Sequence, residues 1–426
     1  MSDGTLTENE PTEGILAGLT VIELAEHSAA PIAGAVLADL GADVIKIERP
    51  PRGDPSRYLD PVPVGECSGT FFSSNRGKRS VVLDLKTEAG STALHRLLDG
   101  ADVLITNLRD GARRRLGIDD AAVAGAHPGL IYVSVSGFGE SPAAADMPAF
   151  DTVALARAGV LDEAMSSFDG SMDMRVYIAD TATGYLTAMS ILAAVIHKMK
   201  TGQGQRVETS MLRSAMCFAQ MNFARHAQEV AYGRGRKESA RSRSGGYTFV
   251  CGDDRAIAVH LVQSPEKFWP LLAGALERED LLADERFATG AERTRHRTEL
   301  RAVLAPEFRH EPAAVWVERL LAAGVPCAPI NRVSDLPDDE LVQASGGIRE
   351  VPDQDGIAVP VMAYPATYSV SPSGPFRPAP RAGEDTETVL RSMDFSEEQI
   401  ESLRADGVAW TLSDLRDHAA ARRAAS

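Results

Sequence analysis

The sequence predicts an α/β protein. A large domain is built on an open, doubly wound parallel sheet, and a smaller α+β domain accompanies it. Three observations carry this. Short β-rich runs alternate with helical stretches through the first 150 residues, the pattern of βαβ units. The 426 residues allow two or three domains at roughly 100–200 residues each. Between residues 233 and 246 the composition turns basic and rich in Gly and Ser (GRGRKESARSRSGG), as a linker does.

Taken in order, Thr20–Leu24 (TVIEL) reads as a strand. Pro31–Leu40 reads as a helix with Pro in its first turn, where the missing N–H costs nothing. Val44–Glu48 and Ser80–Leu85 follow as strands, Glu88–Leu98 as a helix and Ala101–Ile105 as a strand. Ala121–Ala126 is a short helix and Leu130–Val135 a strand. Thr181–Lys200 is a long apolar helix whose end carries Lys198, Lys200 and Gly202, as helix C-termini favour. Gln205–Thr209 is a strand and Leu212–Tyr232 a second long helix.

Beyond the linker come strands near Tyr247–Cys251 and Ala256–His260. Helices at Pro265–Leu276, Glu292–Leu304 and Ala313–Ala323 follow, with a return strand at Pro326–Ile330. From about Gly347 the chain is proline-rich and extended, and it finishes with helices at Asp385–Met393 and Ser396–Asp406. The division expected is a large domain of 1–232 and 345–426, a linker at 233–246 and a small domain at 247–344.

Composition excludes several roles. Forty-four basic against 60 acidic residues give a net charge of −16, which disfavours nucleic acid and anionic membrane surfaces. Cys67, Cys217, Cys251 and Cys327 are far apart, with no metal-ligand spacing, and read as buried free thiols of a cytoplasmic protein. Residues 1–12 are polar and acidic, without a secretory pattern, and are expected to be a disordered tail. The run Thr181–Ile196 falls short of the ~18 apolar residues that mark a membrane span, and reads as a core helix.

Three places attract chemistry. Thr20–Glu48 has the length of a dinucleotide-binding unit, but its turn reads Glu26-His27-Ser28-Ala29-Ala30-Pro31 rather than G-x-G-x-x-G, so a backbone approach to pyrophosphate is disfavoured. Arg49, Lys86, Asn107, Arg109 and Arg115 all fall just past strand carboxyl ends. Each suits a solvated surface; together they suit a polyphosphate in one crevice, since guanidinium forks match phosphate oxygens. Asp180, at the head of the long apolar helix, fits an N-cap contributing about 1 kcal/mol. The spacing favours the cap; the other reading is a nucleophilic carboxylate kept ionised by the helix dipole, with nearby N–H groups to hold an oxyanion. Phe150, Met165, Met172, Met174 and Phe249 are candidates for an apolar acyl pocket or for ordinary core.

The segment Gly41–Pro50 (GADVIKIERP) resembles a signature of the class III CoA-transferases, the CaiB–BaiF family. Asn75–Lys86, Ala101–Gly117, Asp180–Leu212, Trp316–Ile330 and Arg381–Thr386 are similar to further family blocks, in the same order, from about Leu16 to Leu403. The resemblance implies the family's fold, an interlocked homodimer, and CoA as the carried group with no metal or redox cofactor. It places Asp180 as catalytic aspartate, and Arg49, Leu83, Lys86 and Arg115 against the CoA nucleotide. Asn107, Leu108 and Arg109 fall at the pyrophosphate arm, and Ser28 and Ala29 near the thioester, where many relatives carry Gln in place of Ser28. Phe150 and Asp151 align with a Tyr–acid pair of transferases and a His–Asp pair of racemases. A short loop at Ser244–Gly246 corresponds to the family's shielding glycine loop. The activity implied is CoA transfer from an acyl-CoA to a carboxylic acid. An acyl-CoA racemase needs two acid–base groups, and Phe150 supplies none. A non-catalytic CoA-binding relative is the remaining alternative.

Overall fold

The structure, a computed structural model, describes residues 14–60, 67–144, 147–165, 176–233, 245–261, 267–353, 355–371, 374 and 376–424. Contacts divide the chain into two units, Met1–Met221 with Ala344–Ser426, and Asn222–Gln343.

The first unit is built on β1 (Thr20–Leu24), β2 (Asp43–Glu48), β3 (Arg79–Leu83), β4 (Val103–Thr106), β5 (Ile131–Ser136) and β6 (Arg206–Ser210). The connecting helices are α1 (Ala29–Asp39), α2 (Gly69–Asn75), α3 (Glu88–Asp99), α4 (Asp110–Arg115), α5 (Asp120–Ala126), α6 (Asp151–Arg157), α7 (Val160–Met165) and α8 (Ile178–Thr201). α9 (Met211–Ala231) follows β6 and crosses the division between the units. The six strands run parallel in the order β3-β2-β1-β4-β5-β6, with Ile22 opposite Ile45 on one side and Leu104 on the other.

Alternation along each strand separates two cores, because successive strand side chains face opposite ways. Val21, Val103, Ile105, Ile131, Val133 and Val135 face α1 and α8. Ile22, Leu104 and Tyr132 face α3 and the C-terminal helices. Helices on both faces of a parallel sheet explain why its strands read as nearly unbroken apolar runs.

α8 is 24 residues long, longer than the sequence reading allowed. By length and composition it is able to cross a bilayer, yet it packs across α1 and buries Ala179, Thr183, Gly184, Thr187, Ala188, Ile191 and Ala194. Gly184 makes that approach possible: a methyl group there would overlap Ile32 and lie 3.2 Å from the Ala29 carbonyl oxygen. Gly202 closes the helix in the left-handed region at φ 74°.

The second unit holds an antiparallel sheet of β7 (Gly246–Val250), β8 (Ala256–His260) and β9 (Cys327–Pro329), with α10 (Phe268–Ala275), α11 (Gly290–Arg295), α12 (Arg297–Phe308) and α13 (Ala313–Ala322), and α14 (Glu340–Ser345) crosses the division at Gln343. The single helix expected over Glu292–Leu304 is two, broken at His296, whose backbone at φ −101° and ψ 32° leaves the helical range. Most of the expected linker at 233–246 lies outside the described residues, and Gly246 already belongs to β7.

The chain past Gly347 is not simply extended. β10 (Ile348–Pro352) and β11 (Ala358–Met362) pair as a hairpin. After α15 (Thr386–Ser392) and α16 (Glu397–Ala405), β12 (Ala409–Trp410) adds antiparallel to β3, and α17 (Leu412–Ala424) follows. None of the four cysteines is in a disulfide; Cys67 and Cys251 are buried as expected, but Cys217 is exposed and Cys327 half-buried.

Candidate active site

The strand order reverses between β1 and β4, and an open α/β sheet binds its ligands at such a switch point, beyond the carboxyl ends of the strands. A cleft of about 1590 Å³ lies there. Ser28 and Ala29 line it from the β1–α1 turn, Asn107, Leu108 and Arg109 from beyond β4, Phe150 from before α6, and Asp180 from α8. Asn107 ties the two sides together. Its amide accepts from the Glu26 N–H at 3.0 Å and donates to the Glu26 carbonyl at 2.7 Å, so its polar atoms are spent on the turn. Arg109 stands exposed, with no ion-pair partner among the described residues.

Asp180 is the third residue of α8, so it is not the N-cap; that position is Tyr177, whose side chain makes no capping bond. The cap comes from elsewhere. Asp151, at the start of α6, accepts the Asp180 N–H at 2.9 Å. The Asp180 N–H, at the helix start expected to stabilise its own carboxylate, is thus committed to a second carboxylate. Burial, and next the Asp151 charge, push the Asp180 carboxyl up to about 6, with His27 pulling the other way. The helix dipole does not hold it low, contrary to the sequence reading. Burial likewise raises Asp151, one of whose oxygens is buried without a partner.

Other expected site residues lie outside the cleft. Leu83 is fully buried in the sheet core, opposite Ala409, so its side chain is unavailable to a ligand. Arg49 pairs with Glu26 at 3.2 Å, and Lys86 is exposed beyond β3, two strands from the switch point. Arg115 is exposed, but Arg113 and Arg114 line the cleft instead. Arg113 is buried and bonds Tyr132 at 3.2 Å and Glu140 at 2.7 Å. Phe249 is core of the second unit, stacked on Phe308 at 4.3 Å. Phe150 is 69% exposed on the cleft rim. Met172, Met174, Ser244 and the side chain of Met165 lie outside the described residues.

The sequence reading missed His27, Tyr177 and Arg213, all of which line the cleft. For His27 and Arg213 a signal existed, since each follows closely on a strand that ends at the switch-point edge. Glu48, placed where a ribose-binding acid belongs, is taken by Arg57 at 2.8 and 2.6 Å. That closes the dinucleotide reading from the structural side.

A doubly wound α/β enzyme with a carboxylate in its switch-point cleft is the class these features define. Residues 16–386 match the family model of CoA-transferase family III, and the chain belongs to that family. It is a CoA-transferase by descent and by fold. It is 32% identical over 396 residues to the succinate–glutarate CoA-transferase of Agrobacterium fabrum, covering 90% of this chain and 96% of that one. It is 29% identical over 397 residues to the (R)-2-hydroxy-4-methylpentanoate CoA-transferase of Clostridioides difficile, covering 92% and 98%. A CaiB/BaiF family structure from Brucella suis superposes with a TM-score of 0.77 at 29% identity, covering 90% of this chain and all of that one. Neither named relative is a racemase.

Proposed function

We propose that the chain moves CoA from an acyl-CoA donor to a carboxylic acid acceptor through covalent intermediates on Asp180. The observation that carries this is Asp180 itself: a carboxylate in the switch-point cleft, on a helix start, with no cation bonded to it among the described residues and a carboxyl pushed up to about 6. At neutral pH it is ionised yet poorly satisfied, which suits a nucleophile.

A carboxylate oxygen of Asp180 attacks the donor thioester carbonyl, and the C–S bond breaks to give a mixed anhydride and CoA thiolate. The thiolate attacks the aspartyl carbonyl, releasing the donor carboxylate and leaving an aspartyl-CoA thioester. The acceptor carboxylate attacks that thioester and regenerates a mixed anhydride and thiolate. Attack of the thiolate on the acceptor acyl carbonyl yields the new acyl-CoA and frees Asp180. Every step is carbonyl substitution, so the route requires neither a metal nor a redox cofactor. Arg109 is the cation placed to meet the CoA phosphates at the cleft, with Arg49 and Lys86 further along the same sheet edge.

A homodimer completes the reading. Met189, Ile196 and Met199 of α8 and Met216, Phe218 and Met221 of α9 are more than half exposed, an apolar surface that a second copy of the chain would cover. The four free thiols fit a reducing, cytoplasmic setting.

Asp180→Asn tests the mechanism. Transfer between an acyl-CoA and a panel of carboxylic acids, followed by mass spectrometry, is expected to fall by several orders of magnitude while calorimetric CoA affinity is retained. Transfer at a comparable rate in a folded variant removes Asp180 from the mechanism. Sedimentation showing a monomer at micromolar concentration contradicts the dimer.

A further inference from the structure

Five arginines and no lysine line the cleft among the described residues, and three of the five are spent on acids. Arg113 bonds Glu140 at 2.7 Å, Arg114 lies 2.9 Å from Asp110, and Arg206 is shared among Glu140, Asp120 and Glu208. Arg109 and Arg213 are exposed, and neither side chain has a hydrogen bond or ion pair among the described residues. An anion entering the cleft therefore meets two open guanidinium forks. They stand on different walls. Arg109 follows β4 and Arg213 follows β6, with β5 running between, so two strand spacings, about 10 Å, separate the strands they follow. Arg109 meets the CoA phosphates in the reading above, which leaves Arg213 for a second anion.

Hydrogen bonds place Arg213 and Asp180 at the same edge of the sheet. Lys198, near the end of α8, bonds Asp102 at 2.8 Å just before β4, at the amino edge. Thr187, midway along α8, bonds Thr209 near the end of β6 at 2.8 Å. From Thr187 the helix runs back to Asp180 over about 10 Å, at 1.5 Å per residue. Arg213 lies past Thr209 in the same direction, on the first turn of α9. Main-chain contacts join the two places. The Leu212 N–H donates to the Gly137 carbonyl at 2.9 Å, a methyl group at Gly137 would overlap Ala149, and Asp151 accepts the Asp180 N–H at 2.9 Å. Along this path the cleft is lined by Ala149, Phe150 and Met211.

We propose that Arg213 is a specificity-determining residue that selects acids carrying a second carboxylate. The thioester end of the acyl group meets Asp180, its methylene chain lies along Ala149, Phe150 and Met211, and its far carboxylate meets the Arg213 guanidinium. The placement of the thioester end rests on Asp180 being the nucleophile; the contact at Arg213 does not. A carboxylate fits better than a phosphate, because one fork matches one monoanion. Arg113 and Arg206 together serve Glu140, Asp120 and Glu208, which leaves the wall beside Arg213 acidic and disfavours a dianion.

Initial rates with acceptors of equal length, one a monocarboxylic acid and the other its α,ω-dicarboxylic counterpart, read the selectivity. Wild type is expected to favour the diacid in kcat/KM. Arg213→Gln is expected to lower the diacid-to-monoacid ratio about thirtyfold, the scale of one charge-assisted contact. Arg213→Lys keeps a smaller preference, since the charge remains and the fork is lost. Arg213 is exposed and its side chain unbonded, so both variants are expected to fold. A wild-type preference for the monoacid, an equal loss for both acids, or a loss of free-CoA affinity with the ratio unchanged overturns the proposal. Calorimetry on Asp180→Asn reads the same contact without turnover, comparing the CoA monothioester of a diacid with the unsubstituted acyl-CoA of equal length. The diacid thioester is expected to bind about tenfold or more tightly, and Arg213→Gln to remove the difference; equal binding before that change overturns the proposal. If wild type transfers CoA to no acid, the transferase reading fails and this titration still decides the role of Arg213.

Discussion

Two carboxylate clusters in the first unit hold Asp54 and Asp180, whose acidities move in opposite directions from the usual carboxylate range. Beneath the β1–α1 turn, Glu23, Glu48 and Asp54 are matched by Lys46, Lys78 and Arg57. Lys78 Nζ alone bonds Glu23 at 2.9 and 2.7 Å, Asn75 at 2.8 Å and the Pro31 carbonyl at 2.8 Å. Although burial works against it, Asp54 is held down to about 2 by Lys46 and by its Ser56 hydrogen bonds. At the α8 start, Asp151 accepts the Asp180 N–H, no cation pairs with either carboxylate among the described residues, and both carboxyls rise. Burial is common to the two clusters, so what separates them is cations. The first is a scaffold, satisfied and closed. The second is left unsatisfied where a ligand enters, which is how an active site keeps reactivity at the expense of stability.

The comparison breaks most visibly at Lys46. Lys46→Met strands Asp54 and part of Glu23 without a cation, and removing one partner of a buried ion cluster costs about 3–5 kcal/mol. Urea unfolding is expected to show a loss of that size; a change under 1 kcal/mol means the scaffold is not held by charge.

Asp180→Asn is expected to act in the opposite direction. The folded Asp180 carboxyl titrates at about 6 against a reference value of 3.8. A raised acid contributes stability that is fully present below the unfolded value and lost as pH rises through the folded one. At pH 7 the wild-type residue therefore costs stability, and the amide is expected to gain about 1–3 kcal/mol there, after discounting for solvent at the cleft. The gain disappears near pH 4. Thermal or chemical unfolding at both pH values checks it.

The cations give the smaller contrast. Arg109→Ala, on the cleft wall, is expected to raise the CoA dissociation constant about tenfold, the scale of one charge-assisted contact. Lys86→Ala, beyond β3, is expected to change it by about threefold or less, because Lys86 stands outside the cleft and two strands from the switch point. Titration calorimetry at low and high salt separates them; equal effects would extend the binding surface across the whole sheet edge.

The six parallel strands of the large sheet were legible because each is a short β-rich run set between helix signals, whereas the two-residue β12 was not read. The site was legible in part. Of the row read from its place after strands, Asn107 and Arg109 line the cleft, whereas Arg49, Lys86 and Arg115 do not, and Arg113 and Arg114 of α4 line it. Leu83 entered through resemblance alone, whereas burial removes its side chain from any ligand. Asp180 was recognised, but its cap was not: Asp151 stands 29 residues earlier, and nothing local records that α6 brings it to the head of α8. The buried network was equally hidden, since Glu23, Lys46 and Lys78 each look like ordinary charges until β1, β2 and the residue before β3 are laid side by side.

The central claim is that Asp180 becomes covalently acylated during CoA transfer. Hydroxylamine added during turnover, followed by proteolysis and mass spectrometry, tests it most directly. The account expects a hydroxamate on the peptide carrying Asp180, formed only when acyl-CoA is present and absent from Asp180→Asn. Transfer proceeding at full rate with Asp180 unmodified, or the hydroxamate on another carboxylate, contradicts it.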